Sequence, residues 1–290
     1  MHVLLIGAGG FIGQHAHRAL AAAGHRVHTL KQSGPPALDW SAAHRPQAWF
    51  ALLSGMDAAI YLPGTLRDRQ GGQHGLLERL HHHVPKALAQ ACVAQGVPRL
   101  LHVSALCGAD SAYGRSKRAG EAALAEIAAC NPLTLHVLRP SVVMGSGGVS
   151  SRQFEFLSRL PWLALPAALW HCQIQPLHIE DLCEALLACL LAPSTEQPWQ
   201  LVGAQVHTVA GWIAQLRAAS GRAPARVFRL PDGLARWSAR VGDYWPGSSW
   251  CREALSLLQS DSVATDPQQL SRLTALLGHP PRDARLRRPQ

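Results

Sequence analysis

The sequence predicts an α/β fold built on a doubly wound parallel sheet with helices on both faces, and three observations carry that prediction. Short apolar runs rich in β-branched residues alternate with longer stretches of helical periodicity through the first half of the chain. The first of those runs ends in a glycine-rich turn that leads straight into a helix. The composition, 48% hydrophobic and 16% charged with a mean hydropathy of +0.02, is that of a globular protein able to fill such a core.

Taken in order, strands are expected at 2–6, 26–30, 58–62, 99–103 and 134–138. Between them, residues 11–23, 76–95 and 114–129 carry Ala and Leu at i, i+3, i+4 spacing, with Gly24 and Gly96-Val97-Pro98 as breakers. After Pro140 the rhythm changes, and Gly/Ser-rich and Pro-rich loops are expected at 145–151 and 161–166. Glu180 and Asp181 open a helix running to Leu191, their carboxylates suited to the positive helix N-terminus. Residues 208–220 and 252–259 read as further helices. The division expected is 1–143 as the doubly wound domain, with 173–202 returning to its sheet, and 144–290 as a smaller, mainly helical region that supplies the substrate side.

No basic segment precedes an apolar stretch at the N-terminus, and the Val3–Ile6 run is too short for a signal or membrane segment, so a cytoplasmic location is expected. Seven scattered cysteines without a C-x-x-C pair read as reduced thiols. The formal charge of +9 comes from 24 arginines and 3 lysines offset by 18 acidic residues, with no basic run interleaved with aromatics. A nucleic-acid partner is therefore not expected.

The opening strand runs into Gly7-Ala8-Gly9-Gly10-Phe11-Ile12-Gly13 and then a helix, the context that a dinucleotide pyrophosphate requires. Gly7 permits the tight turn, Gly10 lets backbone N–H groups approach the phosphates, and Gly13 allows close packing of helix on strand. The spacing is G-x-x-G-x-x-G, a variant of the G-x-G-x-x-G fingerprint of Rossmann-type domains. At the end of the second strand, where an NAD site places a carboxylate for the ribose 2′-hydroxyl, stands Thr29-Leu30-Lys31-Gln32. Lys31 suits a 2′-phosphate, which favours NADP(H) over NAD(H). Asp39 is either an acceptor for the adenine amino group or a turn cap.

Tyr113 and Lys117 stand four apart at the start of the helix after the 99–103 strand, on one helical face. A neighbouring ammonium favours the phenolate and fits the tyrosine for acid/base work near neutral pH. With 3 Tyr and 3 Lys in the chain, such a pair arises by chance in roughly 3% of cases. Ser104, at the end of the preceding strand, is placed to polarise a substrate carbonyl while the cofactor carries the hydride.

The glycine loop, Ser104 and Tyr113/Lys117 together resemble the short-chain dehydrogenase/reductase superfamily in its extended or atypical, epimerase/dehydratase-like branch. Leu100-Leu101-His102-Val103-Ser104, Leu138-Arg139-Pro140-Ser141-Val142-Val143, Gln175-Pro176-Leu177-His178-Ile179-Glu180-Asp181 and Trp199-Gln200-Leu201-Val202-Gly203 extend the likeness over nearly the whole chain. Within the branch it is most similar to the NADPH-binding accessory subunit of respiratory complex I and its bacterial relatives. The resemblance implies that the Pro140-Ser141-Val142 backbone borders the nicotinamide, that Leu62-Pro63-Gly64 borders the adenosine, and that residues 144–175 shape the substrate pocket. The Ser104-to-Tyr113 interval is shorter than in sugar-epimerase members, which puts the reach of Ser104 in question.

His81-His82-His83 invites a metal reading, but successive helical side chains point about 100° apart, so no metal is expected. Three functions stay open: an oxidoreductase acting on a small carbonyl/alcohol pair, a protein holding NADPH as a structural ligand in a larger assembly, and an NAD-dependent nucleotide-sugar epimerase or dehydratase. The basic surface and the apolar 160–172 stretch with Trp162 and Trp170 suit peripheral membrane or complex association, or no partner at all.

Overall fold

The structure is a computed structural model that describes residues 1–30, 38–66, 75–108, 111–195, 197–244, 250, 252–257 and 260–285. In chain order it contains β1 (His2–Ile6), α1 (Phe11–Ala22), β2 (Arg26–Thr29), a 3₁₀ turn (Pro46–Trp49) running into α2 (Phe50–Leu53), β3 (Ala58–Tyr61), α3 (Leu76–Glu78), a π-helical turn (Arg79–His83), α4 (Val84–Ala94), β4 (Arg99–Val103), α5 (Ala112–Ala129) and β5 (Thr134–Pro140). There follow β6 (Val143–Met144), α6 (Val149–Arg159), β7 (Trp162–Pro166), α7 (Ala168–His171), β8 (Gln173–Ile174), β9 (Leu177–His178), α8 (Ile179–Leu191), β10 (Trp199–Leu201), β11 (His207–Thr208), α9 (Val209–Ala219), β12 (Arg226–Leu230), α10 (Asp232–Tyr244), α11 (Arg252–Leu257) and α12 (Gln268–Leu277). Two compact units result, Met1–Ala105 with Ala112–Arg139 and Cys183–Trp199, and Leu106–Ser111 with Pro140–Leu182 and Gln200–Gln290.

The first unit carries the predicted parallel sheet, in the order β10-β5-β4-β3-β1-β2. β1 pairs in parallel with both β2 and β3, as β4 does with β3 and β5. All four residues of β3 and the last four of β1 are buried, as a strand covered on both faces requires. Helix α1 turns Gly13, Ala16 and Leu20 inward at i, i+3, i+7 and stops before Gly24, whose φ of +80° no residue with a Cβ adopts readily. On one face of the sheet Leu4, Ile6 and Leu100 pack with Trp49, Leu53, Leu88 and Leu124. The order reverses between β1 and β3, so the crevice at their carboxyl ends is where such a sheet binds ligands.

Three expectations are corrected. The helix expected over 76–95 is interrupted by the π-helical turn at Arg79–His83. The loop expected at 161–166 is β7, paired in parallel with β12 from Arg226↔Trp162 to Leu230↔Pro166. Its exposed Trp162 and Ala164 alternate with buried Leu163 and Leu165, a period of two that the flanking prolines obscured. The loop expected at 145–151 gives way at Val149 to α6.

Candidate active site

The glycine turn has the geometry its spacing predicts. Gly7 has a φ of +90°, and a Cβ there would lie 3.3 Å from Leu62 Cβ and from Pro63 Cδ, so this glycine serves both the turn and the approach of the loop after β3. The Gly10 amide donates to Gly7 O at 3.1 Å, and Gly10 is the extended residue from which α1 springs. A Cβ on Gly13 would sit 2.1 Å from Gly7 O and 2.7 Å from Ala8 Cα. Phe11 and Ile12 form the first helical turn, half-buried. The result is a glycine-rich cradle at a helix N-terminus, which fits a dinucleotide pyrophosphate. Lys31 lies outside the described residues. The Asp39 carboxylate accepts from the Ser41 amide at 2.8 Å and the Ser41 hydroxyl at 2.6 Å, which hold it below the usual carboxylate range; its present geometry is that of a turn cap.

Tyr113 and Lys117 share the first turns of α5, with Lys117 Nζ 5.9 Å from the centre of the tyrosine ring. Lys117 is buried and its ammonium donates to Val103 O at 3.3 Å, which brings the charge to the carboxyl end of β4 beside Ser104. The Ser104 hydroxyl is buried and has no hydrogen-bond partner among the described residues. That leaves a donor and acceptor available at the strand end, where a substrate carbonyl would need one.

The first turn of α5 is fixed by a residue that sequence reasoning set aside. His81, fully buried in the π-helical turn, meets the Tyr113 ring edge-on at 5.0 Å. Its Nε2 accepts from the Thr65 amide at 3.2 Å, so that nitrogen carries no proton. Burial, reinforced by the Lys117 charge, pushes His81 down to about 2 and keeps it neutral. The proton of the neutral ring is therefore on Nδ1, which donates to Ser116 Oγ at 2.8 Å, and that hydroxyl in turn donates to Tyr113 O at 2.9 Å. One imidazole thus ties the loop after β3 to the turn that carries Tyr113. Gly64 makes the loop's approach feasible, since a Cβ there would lie 3.4 Å from Lys117 Nζ and 3.5 Å from His81 Nε2. On the other side, a Cβ on Gly120 would lie 1.9 Å from His81 O, so α5 can touch the π-helical turn only through glycine.

His102 stacks on Tyr61 with ring centroids 5.6 Å apart. Burial first, then the Lys117 charge, holds His102 well below its ordinary value, and burial raises the Tyr61 phenol, which donates to Leu80 O at 2.8 Å. The middle of α5 is held by Glu121, whose buried carboxylate accepts at both Oε1 and Oε2 from Arg139 Nε at 3.0 Å. Neither histidine's role announces itself in sequence. The available signals were a histidine inside the apolar 100–103 run and a serine between Tyr113 and Lys117. The other members of the triplet turn away, His82 Nδ1 to Glu78 Oε1 at 2.6 Å and the His83 ring against that of His82 at 4.6 Å.

In the second unit the Pro140-Ser141-Val142 backbone is held on both sides. Pro140 O accepts from the Leu106 amide at 2.9 Å, the Ser141 amide donates to Leu201 O at 2.9 Å, and Val142 O accepts from the Leu177 amide at 2.9 Å. Ser141 Oγ donates to Ser262 O at 2.6 Å. The same unit has an open cavity of about 690 Å³ lined by Gly145, Arg152, Glu155, Arg159, Arg222 and Arg285 among others. No described helix is long and apolar enough to cross a membrane, and the described cysteines Cys92, Cys107, Cys130, Cys172, Cys183 and Cys189 are free thiols.

A glycine cradle at the β1/β3 reversal, with a tyrosine and a buried lysine on the helix after β4, defines the class of dinucleotide-binding α/β oxidoreductases. Residues 3–202 match the NAD dependent epimerase/dehydratase family, and the chain belongs to it. It is 30% identical over 262 residues to the ceramide reductase of Caulobacter vibrioides, covering 84% of this chain and 78% of that protein. Solved structures share the fold at lower identity. A nucleoside-diphosphate-sugar epimerase from Staphylococcus aureus superposes with a TM-score of 0.69 at 12% identity, over 98% of each chain. The Pseudomonas aeruginosa protein RMD in complex with NADPH gives 0.67 at 17%, over 97% of this chain and 93% of that one. The chain is accordingly an NAD(P)-dependent oxidoreductase of the short-chain dehydrogenase type.

Proposed function

We propose that this protein uses NADPH to reduce the ketone of a long-chain N-acylated amino ketone to the secondary alcohol, the alcohol being of the ceramide class. The observation that carries the chemistry is the placement of Lys117 Nζ at Val103 O, beside Ser104 and 5.9 Å from the Tyr113 ring. The likeness to a ceramide reductase over 84% of the chain supports the substrate class. The preference for NADPH rests on Lys31 and on the lack of a carboxylate in Thr29–Gln32.

When bound, the nicotinamide supplies the hydride to the carbonyl carbon. Ser104 Oγ donates to the carbonyl oxygen and orients it. The Tyr113 hydroxyl gives that oxygen its proton as negative charge develops, and the Lys117 ammonium stabilises the phenolate left behind. Solvent then returns a proton to Tyr113, so each turnover consumes one ketone, one NADPH and one proton.

The test follows NADPH oxidation with a detergent-dispersed N-acyl amino ketone. Tyr113→Phe should lower kcat by ~10²–10⁴-fold while NADPH still binds with unchanged affinity. A Phe variant as active as the parent removes Tyr113 from the reaction. Tighter binding of NADH than of NADPH, unaffected by Lys31→Ala, overturns the cofactor assignment.

A further inference from the structure

The last third of the second unit carries an exposed apolar helix face with arginines along one edge. Helix α10 buries Ala235, Ala239 and Gly242 against Leu230, Trp250 and Leu255. At about 100° per residue, its Leu234, Trp237, Val241 and Tyr244 fall on a separate stripe, 50%, 62%, 49% and 89% exposed. Exposed Arg236 and Arg240, one turn apart, lie on the side of that stripe away from Ser238, and both line a shallow recess with Arg252. Arg252 is paired with Asp243, whereas Arg236 and Arg240 have no carboxylate partner among the described residues. The strand leading into the helix repeats the chemistry: Phe228 stacks on exposed Trp162 at 5.7 Å, and the Arg226 guanidinium lies 5.1 Å over the same indole. From 226 to 252 the sequence has five arginines and two aspartates, one of which Arg252 occupies.

From this geometry we propose that α10 is the face by which the protein docks on an anionic lipid bilayer. An interfacial helix has this pattern: an apolar stripe with tryptophan and tyrosine at headgroup depth, and arginines beside it that reach lipid phosphates. A two-fold contact between copies through the same stripe would bring four exposed arginines into one interface, with Asp232 of each copy as the one α10 carboxylate that Arg252 does not already hold. The choice of a bilayer over another protein also rests on the lipid-substrate reading above, since a ketone with long acyl chains resides in membrane and has to be reached there.

The experiment is co-sedimentation of the full-length protein with phosphatidylcholine vesicles and with vesicles that also contain phosphatidylglycerol, at low and high salt. The parent should bind the anionic vesicles, lose most of that binding at high salt, and bind neutral vesicles weakly. The pair Arg236→Gln/Arg240→Gln should weaken binding to anionic vesicles roughly 25-fold, at about fivefold for each arginine. Trp237→Ser should weaken binding to both. These side chains are exposed, so melting temperature should not change. Equal binding by parent and variants overturns the proposal, as does absence of parent binding to anionic vesicles. So does a parent dimer that Trp237→Ser makes monomeric without vesicles, which assigns the stripe to a second copy. NADPH oxidation on the dispersed ketone, measured on the same samples, keeps the two readings apart: vesicle binding without reduction sinks the substrate assignment, and reduction without vesicle binding sinks the docking face.

Discussion

Replacing His81 tests the site's central contact through stability and its pH dependence together. His81→Leu removes this acceptor from the part-buried Thr65 amide and deprives Ser116 of its donor, while Ser116 still bonds Tyr113 O. Two hydrogen bonds at ~1 kcal/mol each put the expected loss at about 2 kcal/mol at pH 8. The sign with pH runs the other way. In the folded protein His81 is held down to about 2, from 6.5, so below pH 6.5 the unfolded chain takes up a proton that the folded one does not. Stability conferred by the neutral ring is complete above 6.5 and is lost as pH falls, by about 1.4 kcal/mol per pH unit. The variant has no such group, so its deficit should narrow by roughly 2 kcal/mol between pH 8 and pH 5. His81→Gln, which keeps a donor and an acceptor, should recover part of the loss at pH 8 and narrow in the same way. Urea unfolding followed by circular dichroism at both pH values measures the gap. A deficit that stays constant or widens on acidification refutes the neutral, doubly bonded imidazole.

Gly13→Ala should abolish tight NADPH binding and destabilise by about 2–3 kcal/mol, because its Cβ meets Gly7 O at 2.1 Å and backbone cannot yield; nucleotide fluorescence titration reads the first effect and thermal melting the second. Gly120→Ala, 1.9 Å from His81 O, should lower kcat on the dispersed ketone more than it weakens NADPH binding, since it levers the Tyr113 helix off the π-helical turn without touching the glycine cradle. Glu121→Gln leaves the Arg139 guanidinium largely buried and without its charge partner, and should cost ~3–5 kcal/mol by urea unfolding; a variant within 1 kcal/mol of the parent would show that the Glu121–Arg139 pair contributes little.

How much was legible follows from how local each requirement is. The glycine turn was readable because a left-handed residue and close helix packing are both imposed within seven consecutive positions, Gly7 to Gly13. Tyr113 and Lys117 were readable because four residues of helix place them on one face. His81 was not, because its role depends on Thr65, 16 residues before it, and Ser116, 35 residues after it, and because the surrounding turn is π-helical where the apolar spacing predicts a regular helix. Strand β7 escaped because its partner, β12, lies some sixty residues further on. Helix α10, and with it the apolar stripe, escaped because Gly233 and Gly242 within the helix lower helix propensity. The parts that sequence conceals are those set by contacts between distant segments, and in this site they are the parts that position Tyr113. A neutral His81, a neutral His102 and the Lys117 ammonium occupy one buried layer, and the lysine's charge disfavours protonation of both rings. Protonating either imidazole would place a second positive charge in a layer that already holds one, so the arrangement that fixes the tyrosine also reserves the layer's positive charge for Lys117.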